Sequence, residues 1–249
     1  MNMLEVKDLK VKIENKVVLD SISLNLKSKE NYILFGPNGS GKTTFINAIM
    51  GIKPYEVVSG RIVFMGKDIT RKDVDERSKF GISVGFQNPP EITGIKLADI
   101  LKVCLGKDSR DKFSEEEKKL IEAFKLTAFL DRDINVGFSG GERKRAEILQ
   151  MMFLKPKLLL LDEPDSGVDV ESLRLIACEI QRFVDNTGSS VLIVTHKGDI
   201  LEYIKAKYAC VILEGKNHCF ADPKRVFETI KKSGYKECVA CQKRVEGEW

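Results

Sequence analysis

Apolar and polar positions follow two rhythms along this chain, and each predicts a kind of element. Short, mostly apolar runs stand at Asn31–Phe35, Ser83–Phe86, Leu158–Asp162 and Ser190–Thr195. Runs of that length, rich in leucine and β-branched residues, predict strands buried on both faces, as in a parallel sheet. The first is followed at once by a glycine loop and a helical pattern over Lys42–Met50. The third is followed by a turn and a helical pattern over about Glu171–Asp185. Strand and helix in alternation predict an α/β fold.

The N-terminal part differs. Leu4–Val11, Val17–Leu26 and Gly60–Met65 alternate apolar with polar residues, as expected of antiparallel, half-exposed strands. From about Gln87 to Lys155 the rhythm becomes helical, over Leu97–Leu105, Glu115–Phe124 and Glu142–Phe153. That change predicts a helical subdomain, approximately residues 88–156, inserted into a single domain spanning residues 1–249. Tyr208–Phe220 reads as a late hairpin, and Pro223–Lys232 as a helix with proline in its first turn.

Composition narrows the classes of function. The 249 residues are 43% hydrophobic and 31% charged, enough apolar material for a sizeable core. The net charge of +4 sits mostly in the last 27 residues, where seven basic residues face four acidic ones. A basic body or stripe, the footprint of a nucleic-acid binder, is missing. Apolar stretches such as Leu158–Leu161 and Val191–Val194 are far shorter than the roughly 20 residues of a membrane helix. The start, MNMLEVKDLKVK, lacks the apolar segment of a secretory signal. These features predict a soluble intracellular protein without direct membrane insertion. Cys104, Cys178 and Cys210 have apolar neighbours and read as small core residues. Cys238 and Cys241 form one C-x-x-C, which reads as a plain surface pair, since a structural zinc site wants four ligands.

The loop after the first buried strand carries the strongest chemical signal. It reads Gly36, Pro37, Asn38, Gly39, Ser40, Gly41, Lys42, Thr43, Thr44, and Gly36 to Thr43 match G-x-x-x-x-G-K-[ST] at every fixed position. Such glycines let backbone N–H groups turn inward around phosphate oxygens, and the helix that follows adds its positive end. Lys42 suits the β- and γ-phosphates, and the Thr43 hydroxyl suits Mg²⁺. Downstream, Leu158–Glu163 reads LLLLDE. A carboxylate at a strand end, Asp162, can hold Mg²⁺, and Glu163 beside it can act on the attacking water.

Further segments resemble those of ABC ATPases. Ser139–Glu142, within FSGGERKRAEILQ, resembles the family's signature motif, LSGGQ in its common form. Gln87 resembles the Q-loop glutamine, Ser166–Asp169 the D-loop, and His196 after VLIVT the H-loop histidine, all in the family's order. The resemblance covers nearly the whole chain and implies a P-loop core, an N-terminal antiparallel β region and an inserted helical subdomain. It implies that Glu163, His196 and Gln87 are catalytic and that Thr43, Gln87 and Asp162 surround Mg²⁺. It also implies a head-to-tail dimer, in which Ser139, Gly140, Gly141 and Glu142 of one subunit close on ATP held by the phosphate loop of another. Ile13 stands where many members carry an aromatic ring that stacks on adenine, which implies looser base selectivity.

Within that family, FQNPPEITGI, FSGGERKRAEILQM and LDEPDSGVDVESL resemble SufC-type ATPases of iron–sulfur cluster assembly. The Asp165-Ser166-Gly167 run and the ending DPKRVFETIKKSGY agree, whereas Pro164 is transporter-like. This resemblance implies a cytoplasmic ATPase that drives a SufB/SufD-like scaffold. The alternative is the nucleotide-binding subunit of an ABC membrane transporter. A coiled-coil chromosome or repair ATPase does not fit, because Gln87 and Ser139 stand only 52 positions apart.

Overall fold

The computed structural model describes residues 2–87 and 89–240. Two sheets share the core. The larger has six strands: β3 (Asn31–Phe35), β6 (Ile82–Gly85), β9 (Leu158–Asp162), β10 (Ser190–Thr195), β11 (Tyr208–Leu213) and β12 (Lys216–Ala221). Their order is β12-β11-β3-β10-β9-β6, all parallel except β12, which folds back on β11. The smaller sheet is antiparallel, in the order β2 (Lys16–Lys27), β1 (Asn2–Ile13), β4 (Tyr55–Phe64), β5 (Lys67–Asp68).

The apolar runs of the parallel strands serve two cores because successive side chains point to opposite faces. Ile33, Phe35, Leu159, Leu161, Val191 and Ile193 face one cluster. Tyr32, Leu34, Leu158, Leu160, Leu192 and Val194 face the other. The second cluster also takes the inner face of the antiparallel sheet and α1 (Lys42–Met50), which is buried over nearly its whole length. The first takes α3 (Leu97–Cys104), α4 (Glu115–Ala123), α5 (Gly140–Phe153), α6 (Val170–Thr187) and α7 (Pro223–Ala240). Truncating a fully buried leucine such as Leu160 is expected to cost about 2–5 kcal/mol.

Some elements were not predicted. A short helix, α2 (Val74–Phe80), opens on a capping box of Asp73 and Glu76. A small ribbon pairs β7 (Ile92–Lys96) with β8 (Asp133–Ile134) and ties the two ends of the helical segment together. Helix α7 runs on past Lys232 to Ala240, across a kink at Gly234. Cys178 is exposed, a correction to its reading as a core residue: Leu173, Ile176, Ala177 and Ile180 form the buried stripe of α6, and residue 178 falls outside it. Cys238 is buried in the first core rather than on the surface, and Cys241 lies outside the described residues. No cluster of three or more Cys, His, Asp or Glu suited to a metal ion forms among the described residues.

Candidate active site

Parallel strands all end on one edge of their sheet, and loops leaving that edge meet there. Four of the strand ends carry residues singled out above: Gly36 follows β3, Gln87 follows β6, Glu163 follows β9 and His196 follows β10. The fold therefore brings together segments up to 160 positions apart, from Gly36 to His196.

The phosphate loop is shaped by its glycines. Gly41, the residue before α1, has φ 104°, and a Cβ there would meet Leu19 Cδ2 at 2.5 Å. No other residue fits both that backbone and that contact. No side chain caps this helix, and its first turn holds no acidic residue, so its amides face the loop without a competing carboxylate. Lys42 is only 5% exposed; its Nζ donates to the carbonyls of Gly36 at 2.8 Å and Pro37 at 3.0 Å. Burial lowers the Lys42 pKa, opposed by the negative charges of Glu163 and Asp162. The Ser40 hydroxyl is buried without a hydrogen-bond partner.

Glu163 is the hub. Gln87 Nε2 donates to Glu163 Oε2 at 2.8 Å, His196 Nδ1 lies 2.9 Å from Oε1, and Lys42 Nζ lies 3.8 Å from Oε1. Its backbone is held in the left-handed region, φ 47°, by hydrogen bonds from its own N–H to Val194 O (2.8 Å) and from Ser166 N–H to its carbonyl (3.0 Å). A non-glycine residue in that conformation marks a position over-determined by its surroundings.

Asp162, one residue earlier, is 5% exposed, and its Oδ1 has no hydrogen-bond partner. Burial raises its pKa, against a hydrogen bond from the Thr43 side chain. An unsatisfied carboxylate oxygen beside a threonine hydroxyl fits Mg²⁺, which takes few protein ligands and completes its shell with phosphate oxygens and water.

Ser139, Gly140, Gly141 and Glu142 lie apart from this edge as the start of α5. Ser139 Oγ accepts from Glu142 N–H at 3.3 Å, and Glu142 Oε2 accepts from Ser139 N–H at 2.7 Å, a complete capping box. A Cβ on Gly140 would lie 2.2 Å from Gly167 O, so the signature glycines pack directly on the Ser166–Asp169 loop. That loop is anchored by Asp165, whose carboxylate accepts the Thr195 hydroxyl at 2.8 Å from Oδ2. Asp165 and Thr195 were not predicted as site residues, although the Asp165-Ser166-Gly167 run had stood out. Lys144 and Glu147 were missed altogether. Their signal was a charged pair three positions apart on the buried stripe of α5, with Gly141, Ile148 and Met151.

The sequence profile of the ABC transporter family matches residues 19–166, more than half of the chain. The chain belongs to that family. It is an ABC-type ATPase that hydrolyses ATP to ADP and phosphate. Among curated relatives, the "Probable ATP-dependent transporter SufC" of Escherichia coli (strain K12) is 39% identical over 224 residues, covering 86% of this chain and 90% of the relative. An "Uncharacterized ABC transporter ATP-binding protein" of Methanocaldococcus jannaschii is 38% identical, covering 98% and 96%. Among solved structures, a nucleotide-free ATP-binding cassette from an ABC transporter aligns with TM-score 0.79 at 26% identity, covering 96% of this chain and 98% of that one. This ABC ATPase therefore has the cassette fold expected of it, with its antiparallel β region and its helical insertion. No helix among the described residues is long and apolar enough to cross a membrane.

Proposed function

We propose that this ABC ATPase closes as an ATP-bound, head-to-tail dimer and drives rearrangement of a cytoplasmic iron–sulfur cluster assembly scaffold of the SufB/SufD kind. The observation that carries the hydrolytic half is the convergence of Gln87, His196 and Lys42 on the single carboxylate of Glu163. Gly36 to Thr44 cradle the phosphates, with Lys42 on the β- and γ-oxygens. Thr43 and Asp162, with Gln87, would hold Mg²⁺, which when bound would supply charge neutralisation to the phosphates. Glu163 orients the attacking water and takes its proton, while His196 holds that carboxylate and reaches the γ-phosphate. Ser139, Gly140, Gly141 and Glu142 meet the nucleotide of a second copy.

The scaffold half rests on the likeness to SufC-type sequences and on a surface beside Gln87. Phe86, Ile92 and Ile95, all within eight positions of Gln87 in the sequence, are 48%, 39% and 42% exposed, large apolar side chains that a partner would cover. A partner seated on that surface, at about 87–101, would feel any shift of the helical segment, approximately residues 88–156. Pro164 and the word "transporter" in the relatives' names favour a second reading, a transporter subunit with a membrane partner at the same surface. An affinity pull-down from the native cell separates the two. Recovery of a β-rich scaffold supports cluster assembly, and stable co-purification with a multi-span membrane protein alone supports transport. Substitution of Pro90 or Ile92 is expected to weaken the captured partner about tenfold, with ATP affinity unchanged.

A further inference from the structure

Helix α5 carries a buried ion pair that the hydrolytic machinery described above does not use. Lys144 Nζ lies 2.8 Å from Glu147 Oε2, and the two residues are only 4% and 7% exposed. Their remaining hydrogen-bonding capacity is directed at the main chain leading to Gln87. Glu147 Oε1 accepts from Phe86 N–H at 2.5 Å. Lys144 Nζ donates to Phe86 O at 2.6 Å, with Gln87 O at 3.4 Å. The helix and this strand end approach closely because residue 85 is glycine: a Cβ there would lie 3.0 Å from Met151 Sδ and 3.6 Å from Glu147 Cδ.

Buried ion pairs contribute little net stability on average, because desolvation offsets their attraction. A pair of well-packed apolar residues could fill the same space on α5. What apolar residues could not do is grip both the N–H and the C=O of residue 86. The side chain one residue on, Gln87, makes the 2.8 Å contact to Glu163.

We propose that Lys144 and Glu147 form a clamp that sets where Gln87 stands, and so whether it reaches Glu163. They are positioning residues, acting through Gln87 rather than on the nucleotide. The clamp makes the strand end and the signature helix one rigid piece. A tilt of α5, whether from dimer closure or from a docked partner, then draws Gln87 toward Glu163 or away from it. This inference rests on the reading of Gln87 and Glu163 given above.

The test is steady-state Mg-ATP hydrolysis by the full chain, with kcat and KM measured separately. Lys144→Met with Glu147→Leu, which avoids a lone buried charge, is expected to lower kcat about tenfold while KM stays within twofold. In a Gln87→Ala background the same double change is expected to lower kcat by less than twofold, since the group it positions is gone. An unchanged kcat overturns the clamp, as does the full tenfold loss in the Gln87→Ala background. Should the double variant fail to fold, Lys144→Met with Glu147→Gln serves. It also avoids a lone buried charge, keeps an acceptor for Phe86 N–H and loses only the grip on Phe86 O, so about a threefold loss of kcat is expected, again absent with Gln87→Ala. No loss, or a loss that persists without Gln87, overturns the proposal. Glu163→Gln in the same assay separates the two readings: if it hydrolyses ATP normally, the assignment of Glu163 fails, whatever the clamp variants do.

Discussion

Helices α1 and α5 both begin at a glycine-rich loop, yet their first turns are completed differently. At α1 the residue before the helix is Gly41, no side chain caps the amides, and the first turn contains Lys42 and no acid. At α5, Ser139 caps the helix and Glu142 bonds back to the Ser139 amide. The first terminus keeps its amides and its cation for a ligand. The second satisfies two of its donors internally, which is worth about 1 kcal/mol to an isolated helix. An anion arriving at α5 must therefore compete with a carboxylate already there. On this account the α1 site binds nucleotide within one chain. The α5 site engages only when the charge already gathered at another chain's phosphate loop compensates for Glu142.

The largest effect should come from the α1 side. Lys42→Ala removes the buried cation whose Nζ donates to the carbonyls of Gly36 and Pro37 and lies 3.8 Å from the Glu163 carboxylate. Hydrolysis is expected to fall at least about a hundredfold with the melting temperature little changed, measured by phosphate release and a thermal scan. Next comes Ser139→Arg, which crowds the α5 terminus while leaving α1 intact. ATP binding to the monomer should persist and ATP-dependent association should disappear, by equilibrium binding and sizing. Glu142→Gln sharpens the comparison further. It keeps an oxygen for the Ser139 amide and removes the repelling charge, so ATP-dependent association should tighten by a few-fold. The smallest effect belongs to Ile13, half-buried at the end of β1 opposite Lys16 and Tyr55. Ile13→Tyr should tighten ATP binding by about 1 kcal/mol or less if the ring faces the base, since stacking in nucleic-acid sites is worth roughly 1–3 kcal/mol per base. Calorimetry gives the sign.

What could be read before the structure follows from how local each feature is. The phosphate motif is nine consecutive residues that leave a buried strand and run into the first turn of a helix, so its geometry is written in one place. The buried strands Leu158–Asp162 and Ser190–Thr195 were predicted to the residue because unbroken apolar runs bounded by polar ones leave few alternatives. Features that depend on long-range pairing were not legible. The β7–β8 ribbon joins segments some 40 positions apart through two paired positions, too few for an alternating pattern to show. The left-handed backbone of Glu163 is imposed by Val194, from another strand. Cys178 was misread because its sequence neighbours are apolar, while on a helix the neighbours that matter stand three and four positions away. The Lys144–Glu147 pair drew no reading, because opposite charges three positions apart are common on exposed helix faces too, and its burial comes from the packing of α5 against the strand end at Gly85.

The most direct test of the central claim, that α5 completes the site of another copy, uses Glu163→Gln. The change keeps the size of the hub residue and removes the carboxylate proposed to act on the water, so ATP should stay bound and unhydrolysed. Sizing by light scattering, with and without Mg-ATP, is predicted to show a shift from monomer to twice the monomer mass only with ATP. Adding Ser139→Arg to the same chain should abolish that shift while ATP remains bound. A Glu163→Gln protein that stays monomeric at saturating ATP, or that dimerises equally well with Ser139→Arg, would contradict the account.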